Sequence, residues 1–296
     1  MTSAGSILEG AFGLVRDHPA AVAIWGLIYL VAVAGTALLV QPLMLGAASD
    51  PEAIAANMQS MFGQLMLFQF LFFLLFVAMW TAALRAILRP SEGGVAFLRF
   101  GMDEIRMIIL TVVIAILIYA GLVVAIIAAI MIGAAAYAAA GAAAAIAVGV
   151  IAAIAALSVI IWLEVRLSLA FPLTLLRGDI IIAESWRLTR GRFWPLFGAY
   201  LVIFVVVTAL SIAASFASTG SYLVDLIQNM GDPEGLQRVI QAQMASQLGE
   251  IDAMTILGWV LSAAAGALTI ALGGGAVATA VRDLTANRES VGDTFA

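Results

Sequence analysis

The chain has 296 residues, of which 64% are hydrophobic and only 10% are charged, and its mean hydropathy is +1.13. Because soluble domains carry about a quarter charged residues, this composition excludes a soluble globular protein and indicates an integral membrane protein. The net charge is −5, and the absence of cysteine excludes disulfides, thiolate metal sites and cysteine nucleophiles.

The first segment is predicted to be an amphipathic helix lying in the inner membrane interface. Within residues 7–16 the apolar side chains fill one helical face, while Glu9 and Arg16 lie on the other. Ser6 with Glu9 predicts a capping box at its start. Residues 1–19 lack a basic n-region and a small-residue cleavage site, so we expect the first long apolar run to remain as a transmembrane helix.

Six apolar runs are long enough to cross a bilayer, since about 20 helical residues span the hydrocarbon core. Backbone groups in lipid must be paired internally, and runs without alternating polar residues favour helices over barrel strands. The predicted fold class is therefore all-α, a polytopic membrane protein with six transmembrane helices. The predicted spans are Ala20–Val40, Leu65–Leu88, Met107–Gly133, Ala145–Phe171, Phe193–Phe216 and Met254–Val281.

The third and fourth spans are predicted from length alone. No charged residue occurs from Met107 to Leu163, and a single helix over this stretch would be about 85 Å long, nearly three hydrocarbon thicknesses. The chain must therefore fold back on itself. The Ala/Gly tract Gly133–Gly141 is the predicted turn.

The basic residues predict the orientation of the chain. All 13 are arginines, and all except Arg238 lie in alternate gaps between the apolar runs. Short loops rich in basic residues stay in the cytoplasm, so both termini are predicted to be cytoplasmic. Abundant alanine, glycine and arginine without lysine is typical of a GC-rich bacterial genome, and the expected localisation is the bacterial inner membrane. The inner arginines are Arg16, Arg85, Arg89, Arg99, Arg106, Arg166, Arg177, Arg187, Arg190, Arg192, Arg282 and Arg288.

An internal repeat is predicted, in which each unit has an interfacial amphipathic helix followed by a hairpin of two transmembrane helices that ends in arginine. Residues 7–16 align without gaps with residues 181–190, and Asp179 is the predicted N-cap of the second of these helices. The corresponding middle segment, Val95–Gly101, matches less well. The three units cover about residues 1–90, 91–177 and 178–296 of a single membrane domain.

The outer loops carry a second recurring pattern. Asp50-Pro51-Glu52 in the first loop recurs as Asp232-Pro233-Glu234 in the third, and each places an N-cap aspartate before a proline suited to the first helical turn. Such helix starts are common, so a chance recurrence stays open. The segment Pro233–Leu248 is amphipathic and is predicted to lie on the outer interface or to cap the bundle.

The most polar inner segment contains Arg187, Arg190 and Arg192 around Trp186 and Trp194. Guanidinium groups pair well with phosphate oxygens, and basic interfacial clusters attract anionic headgroups. These arginines are therefore candidate lipid-phosphate ligands. The alternative is that they only anchor the helix and set the topology.

Glu164, Arg166 and Arg85 lie late in their spans, where charged side chains can reach the interface. Residues two apart on a helix do not face one another, so Glu164 is expected to pair with an arginine on another helix, in a structural ion pair. The alternative is a role in proton or ion coupling, which an intramembrane carboxylate suggests by default.

Other polar or small residues have two interpretations each. Gln41, Gln64 and Gln69 could join helices by hydrogen bonds or line a polar path, and we favour packing. The run Gly273–Gly275 could allow close helix approach or unwind the span, and we again favour packing. The single histidine, His18, makes a haem or transition-metal site unexpected, so no cofactor and no metal are predicted.

The segment Arg166–Tyr200 reads RLSLAFPLTLLRGDIIIAESWRLTRGRFWPLFGAY. It resembles the bacterial family of six-span proteins, termed YciC-like, that includes the membrane domain fused to some glycerophosphoryl diester phosphodiesterases. The resemblance implies an integral inner-membrane domain without established chemistry. It does not imply phosphodiesterase activity, which in the fused relatives belongs to a separate soluble domain.

The favoured interpretation is a non-enzymatic membrane module that organises lipids or partner proteins, with anionic headgroups or a membrane protein as partners and no nucleic acid. The runner-up is a transporter or channel for a small amphipathic or lipid-like solute. An intramembrane hydrolase is disfavoured, because His18 lies outside the spans and no pair of intramembrane aspartates exists.

Overall fold

The computed structural model describes residues 3–49, 51–248 and 251–295, with side chains described for residues 3–39, 62–216, 220, 222–243 and 251–286. Within these ranges all regular secondary structure is helical, with ten α-helices and two short 3₁₀ turns. The α-helices are α1 (Ala4–Asp17), α2 (Pro19–Ser49), α3 (Pro51–Leu88), α4 (Met102–Ala140), α5 (Ala142–Leu167), α6 (Ala170–Arg177), α7 (Ala183–Leu188), α8 (Phe193–Gln228), α9 (Pro233–Leu248) and α10 (Ala253–Phe295).

Six stretches of the described chain are long and apolar enough to cross a membrane. Each of the six predicted spans overlaps one of them, so the prediction of an all-α chain with six potential membrane helices is confirmed by length and composition. The stretches are Pro19–Leu39, Phe62–Leu88, Val95–Ala140, Ala142–Arg177, Phe193–Phe216 and Ala253–Ala286.

The turn between the third and fourth spans lies at Gly141, the last residue of the predicted tract. Gly141 has a φ of 78°, which glycine adopts without steric cost, and its amide donates a hydrogen bond of 2.8 Å to the carbonyl of Tyr137. The helix α4 continues through Gly133 because the alanines that follow it are the best helix formers.

The chain divides into two compact units. One consists of Met1–Ile7, Arg99–Ala199 and Val277–Ala296, and the other of Leu8–Leu98 and Tyr200–Ala276. These units do not follow the boundaries of the three predicted repeats, which stay a prediction.

In the unit built from Leu8–Leu98 and Tyr200–Ala276, close packing depends on glycine. A Cβ added at Gly274 would lie 2.7 Å from the Cβ of Ala83, and one at Gly275 would lie 3.0 Å from the Cα of Ala11. The helix α10 is continuous from Ala253 to Phe295. The run Gly273–Gly275 therefore serves close helix approach, and the alternative of an unwound span is wrong.

In the unit that contains Arg99–Ala199, burial is confined to one end of the α4–α5 hairpin. Leu110 and Ile114 of α4 pack against Leu167 of α5 and Ala170 of α6, whereas no residue from 115 to 164 is buried within the chain. This cluster thus lies where α4, α5 and α6 meet, and the rest of the hairpin presents apolar side chains outward.

Two predicted helix starts are wrong in detail. The helix over the first segment is present as α1, but Ser6 lies inside it and its amide donates to the Oγ of Ser3 at 3.1 Å, so the N-cap is Ser3. Asp179 does not cap a helix, because α7 begins only at Ala183. The amide of Ile181 instead donates to the Oγ1 of Thr174 at 3.3 Å, which satisfies a donor that a helix start would leave free.

The middle segment is not a helix. Val95–Phe97 forms a 3₁₀ turn in which Ala96 and Phe97 have φ values of 54° and 58°, and the next helix begins only at Met102. The predicted N-cap before α9 is confirmed: Asp232 precedes the helix, and its Oδ1 accepts a hydrogen bond from the amide of Glu234 at 3.1 Å. Its counterpart Asp50 lies outside the described residues.

Candidate functional site

Arg187, Arg190 and Arg192 lie on α7 and on the turn that joins it to α8. All three side chains are exposed, and no carboxylate among the described residues forms an ion pair with them. The nearby Arg177, by contrast, pairs with Glu184 at 3.5 Å. The segment therefore presents three cations whose charge nothing in the described chain neutralises.

The opposite face of this segment is buried, and this burial directs the arginines outward. Ser185, Leu188 and Thr189 are at most 2% exposed. The hydroxyl of Ser185 donates to the backbone carbonyl of Arg166 at 2.7 Å, which ties α7 to the end of α5. Arg187 lies between these buried positions on α7, so the helix turns its side chain away from the buried face.

Arg166 stands at this junction with two tryptophans. Its guanidinium carbon lies 5.5 Å from the centre of the Trp162 ring and 5.4 Å from that of Trp186, and the two rings meet edge to face at 5.0 Å. Both distances are within the range of cation–π attraction. Sequence analysis associated Arg166 with a carboxylate and missed Trp162, although a spacing of four residues on a helix places the two on one face.

The hydrogen bonds of the Arg166 side chain are few and long. Its Nη1 donates to the carbonyl of Trp186 at 3.4 Å and to the Oγ1 of Thr189 at 3.5 Å, both beyond the usual range for N–H···O bonds. Its Nε is buried without a hydrogen-bond partner. An arginine has five N–H donors, so most of the donor capacity is unused.

Of the predicted ion-pair candidates, neither Glu164 nor Arg166 forms an ion pair with a described residue. Glu164 is exposed and forms no ion pair with Arg166, as expected for residues two apart on α5. Arg85 is 1% exposed in its own unit, where its Nη1 donates to the carbonyl of Phe97 at 2.6 Å. A backbone carbonyl, which no sequence pattern marks, is thus a partner of this arginine.

The turn that Arg85 contacts is held from a second side. The indole Nε1 of Trp25, a fully buried residue, donates to the carbonyl of Ala96 at 3.1 Å. The ring of His18 meets that of Phe97 edge to face at 5.0 Å. These contacts hold two non-glycine residues in the left-handed region, which is otherwise unfavourable.

The remaining polar candidates are dispersed. Gln64 and Gln69 are exposed on α3, and the side chain of Gln41 lies outside those described. No group of three histidine or acidic residues in the described chain is arranged to hold a metal ion. The polar features that converge are therefore those at the junction of α5 and α7.

Comparisons of the chain with protein-family models, with curated proteins and with solved structures found no match. The resemblance of Arg166–Tyr200 to the YciC-like six-span family therefore stays a prediction. The site itself is a cationic surface, flanked by tryptophans, at the end of an apolar span.

Proposed function

We propose that this chain is a non-enzymatic multi-pass protein of the bacterial inner membrane that organises lipids by binding anionic headgroups. The observation that carries the proposal is the set of exposed arginines on and after α7, Arg187, Arg190 and Arg192, without a carboxylate partner among the described residues. Guanidinium groups form bidentate pairs with phosphate, and basic segments at the ends of membrane spans attract anionic lipid headgroups.

The tryptophans support a membrane ligand rather than a soluble one. Trp186 is 38% exposed and Trp194 is 74% exposed, and both flank the arginines. Tryptophan is enriched at the headgroup level of bilayers because its ring is apolar and its N–H is polar. Arginines that only anchored the chain could be paired with carboxylates, as Arg177 is with Glu184. The absence of such partners for Arg187, Arg190 and Arg192 within the described chain therefore favours a role in binding an anion.

The arginine distribution supports a cytoplasmic position for this segment. Anionic lipids give the cytoplasmic leaflet a negative surface potential, and each basic residue near the surface contributes about 1 kcal/mol to membrane attraction. We include in the proposal the cytoplasmic location of both termini and membership of the YciC-like six-span family. A membrane-protein partner that shares the bound lipid is compatible with it.

The test compares two triple variants with the wild-type protein in lipid nanodiscs that contain phosphatidylglycerol and phosphatidylcholine. In the first, Arg187, Arg190 and Arg192 become Gln. In the second, the matched control, the ion-paired Arg89, Arg106 and Arg177 become Gln. Lipids retained after detergent extraction are quantified by mass spectrometry at low and high salt.

The first variant should lose about 3 kcal/mol of attraction, or roughly a hundredfold in affinity for phosphatidylglycerol, since three unpaired charges are removed. The control changes the net charge by the same amount, and it should lose much less because its guanidinium groups are bound to carboxylates and are not free to bind phosphate. Equal losses in the two variants would contradict the proposal. Protein-dependent flux of a small solute across liposome membranes would instead support the runner-up function, a transporter or channel.

A further inference from the structure

The guanidinium of Arg166 lacks an anion. No carboxylate among the described residues lies within ion-pair distance of it, its Nε is buried without a partner, and its two hydrogen bonds are 3.4 and 3.5 Å long. Proteins rarely leave a partly buried cation in this condition, since an unpaired charge away from bulk water is unfavourable. The Arg166 guanidinium therefore has N–H groups able to bind a further, anionic partner.

The two tryptophans partly stabilise the positive charge of Arg166, but they do not satisfy its N–H hydrogen-bond donors. The faces of Trp162 and Trp186 attract the cation at 5.5 and 5.4 Å, yet aromatic rings accept few hydrogen bonds from N–H groups in the guanidinium plane. A planar fork of N–H groups matches two oxygens of one phosphate. A ligand that fits this guanidinium is therefore an anion with at least two oxygens on one centre.

The surroundings of the site point to the source of that anion. The same face of α5 continues for three turns as exposed apolar surface, with Val159 at 54% and Ile151 at 67% exposure. The stretch from Met107 to Leu163 carries no charge, and Arg166 follows it by three residues. A ligand with a phosphate at Arg166 and a hydrocarbon chain along this face fits both parts of the surface.

We propose that Arg166, Trp162 and Trp186 bind the phosphate of one membrane phospholipid, whose acyl chain lies along the Val159 and Ile151 face of α5. This inference rests on the proposed function and adds one defined subsite to the general attraction of Arg187, Arg190 and Arg192. The phosphate completes the hydrogen bonding of the Arg166 guanidinium. The tryptophans fix the orientation of its plane.

The test is a titration of the delipidated full-length protein in detergent, followed by native mass spectrometry. The ligands are dihexanoyl phosphatidylglycerol, inorganic phosphate and a diacylglycerol of the same chain length. The variants are Arg166→Lys, which keeps the charge and loses the fork, the Arg187/Arg190/Arg192→Gln triple, and Arg177→Lys as a control for an arginine already paired with Glu184.

One phosphatidylglycerol should bind to the wild-type protein, and Arg166→Lys should weaken it about tenfold, or about 1.4 kcal/mol. Arg177→Lys should leave this binding unchanged. Diacylglycerol should not bind at the site, and inorganic phosphate should compete at least a hundredfold more weakly than the lipid, because it lacks the acyl chain. Phosphate competing as well as the lipid would contradict a lipid ligand.

The two proposals fail in different ways. If the triple variant loses binding and Arg166→Lys does not, the subsite is wrong and the general attraction stands. If the wild-type protein retains no anionic lipid, the proposed function is wrong as well. Should Arg166→Lys fail to fold, a phosphatidylglycerol with a photoreactive headgroup decides the question on the wild-type protein. Crosslinks should map to Trp162–Arg192, and crosslinks only elsewhere would overturn the inference.

Discussion

Two arginines near the ends of α3 and α5, Arg85 and Arg166, donate hydrogen bonds to backbone carbonyls with different geometry. Arg85 is buried and donates to the carbonyl of Phe97 at 2.6 Å, whereas Arg166 donates to that of Trp186 at 3.4 Å and rests against two rings. A short, buried hydrogen bond from a charged donor is strong and directional. Arg85 thus has the geometry of a residue that holds the Val95–Phe97 turn in place. Arg166 has the geometry of a cation that is able to bind a further partner.

A second side chain, that of Trp25, also holds the Val95–Phe97 turn, and this contact gives a prediction about stability. Trp25 is fully buried, and its Nε1 donates to the carbonyl of Ala96 at 3.1 Å. Trp25→Phe removes this donor, leaves a buried carbonyl unsatisfied and opens a small cavity. We expect a loss of about 2–4 kcal/mol in the free energy of unfolding.

Chemical denaturation in detergent would measure this loss. Trp194→Phe is the matched control, because Trp194 is 74% exposed and its loss should change stability by less than about 0.5 kcal/mol. Equal effects of the two substitutions would show that the Trp25 hydrogen bond does not hold the turn.

At the scale of helices, the number and approximate positions of the spans were predictable, but their lengths and local ends were not. Uncharged length determines where a helix can remain in lipid, and this property is carried by many residues at once. A cap depends on one hydrogen bond. Asp179 has the right side chain for an N-cap, yet the amide of Ile181 is bound by Thr174 from another helix, which sequence spacing cannot reveal.

The glycine run of α10 allows a prediction about helix packing. A Cβ at Gly274 would lie 2.7 Å from the Cβ of Ala83, closer than two carbon atoms can approach. Gly274→Ala must therefore push α10 away from α3, and we expect it to destabilise the protein by about 1–3 kcal/mol. A melting curve in detergent would measure the effect.

Gly121 provides the control for this prediction. An added Cβ there meets nothing within 4 Å, so Gly121→Ala should be neutral or should stabilise the protein by up to about 1 kcal/mol through helix propensity. If the two substitutions gave the same melting temperature, close packing at Gly274 would not be the reason for the glycine.

The start of α10 gives a prediction about pH. Asp252 accepts hydrogen bonds of 2.7 Å from both the amide and the hydroxyl of Thr255, and these bonds hold the pKa of its carboxyl below the ordinary value of 3.8. The folded state thus favours the ionised form, so this contribution to stability is present above the ordinary pKa and is lost as the pH falls through the lowered one.

Asp252→Asn keeps a residue suited to the N-cap but removes the titrating group. We expect the wild-type protein to melt at a higher temperature than the variant at about pH 7 and the difference to shrink at about pH 3. Comparing the two proteins at each pH cancels the acid sensitivity of the other carboxylates. A difference that does not depend on pH would show that the charge of Asp252 does not contribute.

For the whole molecule, the features that follow from the bilayer were predictable, whereas the contacts of the proposed phospholipid site were not. The six potential spans follow from hydropathy, which sums over about 20 residues each. The site at Arg166 depends on a junction of α5 with α7, and Ser185 contributes to it through a single bond to the carbonyl of Arg166. The sequence pattern pointed to Arg187, Arg190 and Arg192 as candidate phosphate ligands, but it did not link them to Arg166 or to Trp162.

The orientation of the chain is the last prediction, and the lack of native cysteine makes it directly testable with single cysteines. Ala138 lies just before the turn between α4 and α5, Gln237 lies on α9, and Ser91 follows α3, and all three are exposed. If both termini are cytoplasmic, cysteines at Ala138 and Gln237 should react with an impermeant maleimide in intact cells, whereas one at Ser91 should react only after permeabilisation.

The opposite labelling pattern would show that the protein has the inverted orientation, with Arg187, Arg190 and Arg192 on the outer face of the membrane. The six potential spans would be unaffected, because they depend on apolar length and not on the sign of the loop charges. The proposed function would lose its electrostatic basis, since the arginines would no longer face the negative potential of the cytoplasmic leaflet. The labelling experiment therefore tests the link between the charge distribution and lipid binding separately from the fold.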